Sequence, residues 1–208
     1  MIRIIEPKRL KLAVLASGRG SNFIALNEAI QAGKLNADIC VLISDRAEAP
    51  ALNKARDLGV KAVHINPRNY SSRDEYEAEV VKILKAREID IVVLAGYMRL
   101  VGRVLLQAYK LRVLNIHPAL LPSFVGLHAQ RQAVEYGVKF SGCTVHLVDE
   151  GMDSGPIIMQ AVVPVQPDDT EDMLADRILG QEHRVYSEVL QLLAEGRIWV
   201  EGRIVHIK

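Results

Sequence analysis

Short apolar runs alternate with amphipathic stretches through residues 11 to 117. Lys11–Ser17 is an apolar run ended by glycine-rich punctuation, and it reads as a buried strand. Phe23, Leu26, Ala29 and Ile30 then recur at helical spacing, which predicts a helix over Ser21–Ala32 stopped by Gly33. Asp38–Ile43 and Val60–Ile65 read as strands, with a helix over Ala47–Leu58 between them. Arg73–Glu88 is the clearest helix. Tyr76, Val80, Ile83 and Leu84 share a face, acids crowd the first half and bases the second, in keeping with the helix dipole. Asp90–Ala95 and Arg112–His117 are further strands around a short helix over Val101–Tyr109. Strands this apolar, separated by amphipathic helices, are covered on both faces, so this region predicts a parallel α/β sheet.

After His117 the pattern changes. Pro118–His128 reads as a long loop and Gln130–Tyr136 as a helix. Ser141–Val148 and Pro156–Val165 have no helix between them and are expected to pair antiparallel at the sheet edge. Thr170 opens a last long helix, and Arg197–Ile207 reads as a hairpin around Glu201-Gly202. The expected class is α/β, a single domain with a mostly parallel sheet flanked by helices and an antiparallel C-terminal portion. Residues 11–208 form the domain. Residues 1–10 are an N-terminal extension to which the sequence assigns no function.

Composition narrows the class. The chain has 208 residues, 50% hydrophobic and 25% charged, which is enough to bury a core and far from a disordered balance. Lys and Arg number 26 against 25 Asp and Glu, so nothing points to a nucleic acid or membrane surface. Cys40 and Cys143 stand far apart without a CxxC, which excludes a disulfide framework and a cysteine-rich zinc site; two buried thiols are expected. The N-terminus lacks the apolar core of a signal peptide, so a cytoplasmic location is expected. Asn69-Tyr70-Ser71 fits a glycosylation acceptor but has no secretion signal to support it.

In open parallel sheets, ligands sit beyond the carboxyl ends of the strands. Ser17–Asn22 (SGRGSN) places two glycines between a strand and a helix, where backbone amides and the helix dipole suit a phosphate. A plain strand-to-helix turn, with Ser21 or Asn22 as N-cap, explains the same residues. Asp45 could hold a ribose, but Phe23 occupies the third glycine position of a dinucleotide fingerprint, which counts against NAD. Asn115 and His117 are two apart on a strand and share a face. Histidine can exchange a proton near neutrality, and asparagine can donate to a developing oxyanion. The loop 149–156 (DEGMDSGP) offers Asp149, Glu150 and Asp153 as carboxylates to stand beside the histidine. His64 and His146 read as strand residues; His128 and His183 are weak candidates. No HExxH, GxSxG or P-loop pattern occurs, so neither a metal site, a serine nucleophile nor a nucleoside triphosphatase is expected.

Six segments, SGRGSN, AGYMRLV, LNIHPALLP, GLHAQRQA, DEGMDSGPII and QEHRVY, occur in the order and spacing of the phosphoribosylglycinamide formyltransferase family. The chain resembles this family from about Lys11 to Ile207. The resemblance implies a Rossmann-like formyltransferase fold. It also implies transfer of a formyl group from 10-formyltetrahydrofolate, the co-substrate, to the amine of glycinamide ribonucleotide in purine synthesis. On that resemblance Asn115, His117 and Asp153 are the catalytic residues. Gly20, Ser21, Asn22, Phe23, Ile24, Gln181 and Glu182 bind the ribonucleotide. Arg73, Met98, Arg99, Leu100, Val101, Asp149, Glu150, Gly151 and Met152 bind the folate, with Arg73 the weakest match. No metal is implied; the partners are small molecules, and the protein is a monomer or homodimer.

Two positions depart from the family pattern. Val125 stands where many relatives have proline, and Arg19 fills the variable place between the two glycines. A methionyl-tRNA formyltransferase resembles this core but carries a tRNA-binding domain, and a formyltetrahydrofolate hydrolase carries a regulatory one. From the chain length neither extra domain is expected, and the phosphate loop favours the nucleotide. A non-catalytic binding protein would not need Asn115, His117 and Asp153 together.

Overall fold

The computed structural model describes every residue, Met1–Lys208. The elements run β1 (Ile2–Arg3), β2 (Leu10–Leu15), α1 (Ser21–Gln31), β3 (Ala37–Ser44), α2 (Pro50–Asp57), β4 (Ala62–His64), α3 (Arg73–Lys85), β5 (Ile91–Leu94), α4 (Arg103–Ala108), β6 (Val113–His117), α5 (Ala129–Tyr136), β7 (Phe140–Leu147), β8 (Ile157–Pro164), α6 (Glu171–Ala194), β9 (Ile198–Glu201) and β10 (Ile204–Ile207). A seven-stranded sheet has the order β4-β3-β2-β5-β6-β7-β8, parallel from β4 to β6 and antiparallel for β7 and β8. The expected α/β architecture and its antiparallel edge are present.

The central strands are apolar throughout because helices cover both faces. Leu12, Val14, Ile91 and Val93 join the layer of α1 and α6, around Phe23, Leu26, Ile178 and Val189. Ala13, Leu15, Val92 and Leu94 face the opposite layer, around Tyr76, Val80, Leu84 and Leu105 of α3 and α4. Each fully buried Leu or Val contributes about 1.5–3 kcal/mol, so alternate residues of one strand hold two layers together. Burial also holds the Cys143 thiol in its ionisable-proton form, pushing it up to about 12. Cys40 is only half-buried, contrary to the expectation of two buried thiols.

Helix α2 starts at Pro50, later than the Ala47 expected from the pattern. Proline lacks an N–H and suits the first helical turn, where no intrahelical bond is lost. The N-terminal extension is not a passive tail. β1 pairs with β9 through Ile2–Val200 and Arg3–Trp199, and β9 pairs with β10 in a separate three-stranded sheet. The Arg3 guanidinium lies 4.3 Å above the Trp199 ring, and the Lys8 N–H donates to the Ala194 carbonyl at 2.9 Å.

No helix is long and apolar enough to cross a membrane. Helix α6 begins at the Thr170 cap, whose hydroxyl accepts from the Met173 N–H, with Glu171 and Asp172 in its first turn. Deep in the sheet, the Tyr186 hydroxyl lies 3.0 Å from both the Leu94 and Leu114 carbonyl oxygens, joining α6 to β5 and β6.

Candidate active site

A cleft of about 830 Å³ opens where β2, β5 and β6 end. Its first end is the loop before α1. The helix N-cap is Gly20, at φ 70° and ψ 34°, and no side chain caps the helix. This differs from the cap expected of Ser21 or Asn22. Gly20 is obligatory: a Cβ there would stand 2.7 Å from the Ala51 Cβ, and its positive φ disfavours other residues. The first amides of α1 therefore face the cleft without a side-chain acceptor, as an anion site requires. Arg19 and Arg46 also line this end.

The Asn22 amide nitrogen donates to Glu182 Oε2 at 2.8 Å, joining α1 to α6, while the buried Asn22 Oδ1 has no partner. Burial pushes the Glu182 carboxyl above its ordinary value, although Asn22 and the Arg19 charge oppose this. Gly18 to Asn22 and Glu182 thus place backbone donors, a free acceptor and a carboxyl around one end of the cleft.

Asn115, His117 and Asp153 meet midway. His117 Nδ1 lies 3.4 Å from Asp153 Oδ2, and His117 Nε2–H donates to the Phe124 carbonyl at 2.8 Å. Each ring nitrogen thus faces an oxygen atom. Asp153 Oδ2 also accepts the Gly126 N–H at 2.8 Å. β7 runs against β6, so the loop after it leaves beside the start of β6 and must fold back to bring Asp153 here. Asp153 sits at φ 50°, a left-handed conformation that aspartate tolerates better than most residues.

His146 completes the group, although its sequence context reads as an ordinary strand residue. It is the register partner of Asn115. Its Nδ1–H donates to the Leu147 carbonyl at 2.9 Å, and burial lowers its pKa, so the neutral ring presents Nε2 as an acceptor. Asn115 Nδ2 donates to that nitrogen at 3.2 Å and lies 3.5 Å from Asp153 Oδ1. Two acceptors fix the amide with its nitrogen inward. Only the β6–β7 register reveals this pairing, and no local sequence signal does.

The far end is walled by Met98, Arg99, Leu100 and Val101 on one side and Asp149, Gly151 and Met152 on the other. Met98, Leu100 and Met152 are each more than half exposed, unusual for apolar side chains unless a ligand covers them. Asp149 Oδ1 accepts from the Gly151 N–H and the Ser154 hydroxyl, so it shapes the loop.

Five residues expected in the site lie outside the cleft lining. The Phe23 side chain is fully buried in the core, and Ile24 packs against that core, because the first turn of α1 turns them towards the sheet. Gln181 accepts from Arg184 along α6 instead of reaching the cleft. Glu150 is exposed at the loop tip. Arg73 is exposed at the start of α3 and lies against Gly102, behind the wall. Arg46, His128, Glu171 and Leu179 line the cleft in addition. No group of three or more His, Cys, Asp or Glu side chains is placed to hold a metal ion.

Residues 10–190 match the family described as formyl transferase. The chain is 40% identical over 183 residues to the phosphoribosylglycinamide formyltransferase of Bacillus subtilis (strain 168), covering 88% of this chain and 94% of that one. It is 42% identical over 204 residues to the trifunctional purine biosynthetic protein adenosine-3 of Drosophila melanogaster, covering 97% of this chain but only 15% of that protein's length. Among solved structures, glycinamide ribonucleotide transformylase 1 from Symbiobacterium toebii superposes with a TM-score of 0.94 at 50% identity, over 95% of this chain and 93% of that one. With the cleft, its three converging polar residues and these likenesses together, the chain belongs to the formyl transferase family.

Proposed function

We propose that this protein transfers the formyl group of 10-formyltetrahydrofolate to the amine of 5'-phosphoribosylglycinamide, a step of purine synthesis. The observation that carries this reading is the position of Asn115, His117 and Asp153 between a phosphate-sized loop at one end of the cleft and an apolar wall at the other. Two substrates laid end to end would meet at these side chains, which converts a bimolecular step into a local one.

The ribonucleotide phosphate takes the amides at Gly20 to Asn22, with Arg19 and Arg46 adding positive charge, and Glu182 with Asn22 Oδ1 accepts hydroxyl or amine protons. The pteridine packs against Met98 to Val101 and the loop at 149–152. The neutral amine attacks the formyl carbon and the carbonyl oxygen becomes an oxyanion. The Asn115 N–H that lies 3.5 Å from Asp153 is held only loosely, so the oxyanion can take it. His117 donates its proton towards the folate nitrogen that leaves, once the Phe124 carbonyl yields Nε2, and Asp153 keeps the ring oriented. The attacking amine passes a proton to the His117 ring, which restores the donor, and the products are the formylated ribonucleotide and tetrahydrofolate. No covalent enzyme intermediate enters.

The test is a transfer assay with purified protein, 10-formyltetrahydrofolate and glycinamide ribonucleotide. Formation of formylated ribonucleotide in step with tetrahydrofolate is expected. Tetrahydrofolate released with formate, and no formylated product, would make the protein a hydrolase instead.

A further inference from the structure

The wall segment from Gly96 to Val101 belongs to no helix or strand, yet it must hold its shape to receive a large planar ligand. Its first half hangs on β2: the Ser17 N–H donates to the Gly96 carbonyl at 3.0 Å, and the Met98 N–H donates to the Ser17 hydroxyl at 2.9 Å. Its second half hangs on the first turn of α3. The Tyr76 and Tyr97 hydroxyls lie 2.7 Å apart, and the Arg99 guanidinium stands 5.1 Å from the centre of the Tyr76 ring.

The end of the segment rests on a buried carboxylate. Glu77 is 4% exposed and makes no ion pair. Its Oε1 accepts the Gly102 N–H, and its Oε2 accepts the Leu105 N–H at 3.1 Å. Helix α4 has Gly102 as its N-cap, no side-chain cap of its own and no acid in its first turn. Glu77 therefore supplies, from a different helix, the acceptor that a capping side chain ordinarily provides. The fit is close, since a Cβ on Gly102 would stand 2.9 Å from Arg73 Cδ and 3.0 Å from Glu77 Oε1. A surface carboxylate would serve α4 as a cap. A buried one costs desolvation, which its two bonds from the Gly102 and Leu105 amides offset.

We propose that Glu77 is a positioning residue for the formyl-folate co-substrate: by holding the amides of Gly102 and Leu105 it sets the position of the Met98–Val101 wall. This rests on the reading of that wall as the folate side of the cleft. It also gives Arg73 a place in the same mount, behind the wall and against Gly102.

The experiment compares wild type with E77A, E77Q and G102A. It measures tetrahydrofolate binding by calorimetry, KM for both substrates, and hydrogen exchange of the Gly102 and Leu105 amides. E77A and G102A are expected to weaken tetrahydrofolate binding and raise the KM for formyl-folate roughly tenfold or more, by loss of hydrogen bonds to a charged acceptor. The ribonucleotide KM should stay within about twofold, and both amides should exchange faster. E77Q keeps one acceptor oxygen and should fall between. If E77A does not fold, G102A and E77Q decide the matter from the two sides of the contact. Folate binding unchanged in the folded variants, or equal losses for both substrates, would overturn the proposal. Wild-type protein that binds no tetrahydrofolate would instead overturn the functional reading beneath it.

Discussion

His117 Nε2 bonds the Phe124 carbonyl while Nδ1 stands 3.4 Å from Asp153 Oδ2, and in the proposed mechanism the Phe124 carbonyl is exchanged for substrate before the ring acts. H117A is therefore expected to lower kcat by two to four orders of magnitude, the usual worth of a positioned acid. Ribonucleotide binding, measured by calorimetry, should change little. D153N should lower kcat roughly tenfold or more, because the Asp153 carboxylate stands 3.4 Å from His117 Nδ1 and accepts the Gly126 N–H; an unchanged kcat would remove Asp153 from that role. His146 acts one bond further away. H146A leaves the Asn115 amide only its 3.5 Å contact with Asp153 and should lower kcat about tenfold with little change in either KM. H146Q, which can accept the same N–H, should recover part of the loss. Asn115 and His117 were legible in sequence because alternation along a strand puts residues two apart on one face. His146 was not, since its contact with Asn115, 31 residues away, exists only through the register between β6 and β7.

At the level of elements, the entry to α6 carries the clearest pH dependence. Asp169 is 6% exposed and pairs with Arg177 at 2.6 and 2.8 Å while accepting the Gln166 N–H. The Arg177 hydrogen bond leads in lowering its pKa from 3.8 to about 2. A folded-state pKa below the unfolded one adds stability above the ordinary aspartate range, and this is lost as pH falls from 3.8 towards 2. Urea melts between pH 2 and 5 should show that slope in wild type and a shallower one in D169N; equal slopes would contradict it. The existence of nearly every helix and strand was legible from periodicity. The start of α2 was displaced by Pro50, whose missing N–H selects the first turn. Strand β1 escaped notice because two residues carry no period, and its partner, β9, lies at the other end of the chain.

Across the whole molecule, the site depends on contacts between distant segments. Asn22 and Glu182 are 160 positions apart and share one hydrogen bond at the glycine-loop end of the cleft. E182A should raise the KM for the ribonucleotide about tenfold while leaving that for formyl-folate nearly unchanged, the reverse of the pattern expected for Glu77. Steady-state kinetics with each substrate varied in turn separates the two. The side chains of Phe23, Ile24, Gln181, Glu150 and Arg73 lie outside the cleft lining. A motif marks a stretch of backbone, and the fold turns some of its side chains into the core, along a helix or out to solvent.

The sequence alone determined the α/β class, the antiparallel edge and the segments that carry chemistry. These follow from periods of two and 3.6 residues and from glycine and proline, all properties of neighbouring residues. Tertiary structure decided which members of each segment face the cleft and how the loop after β7 returns to place Asp153. It also decided that His146 meets the Asn115 amide and that Glu77 accepts the Gly102 and Leu105 amides. Those outcomes depend on strand register and on helices packing across the sheet, which no local pattern encodes.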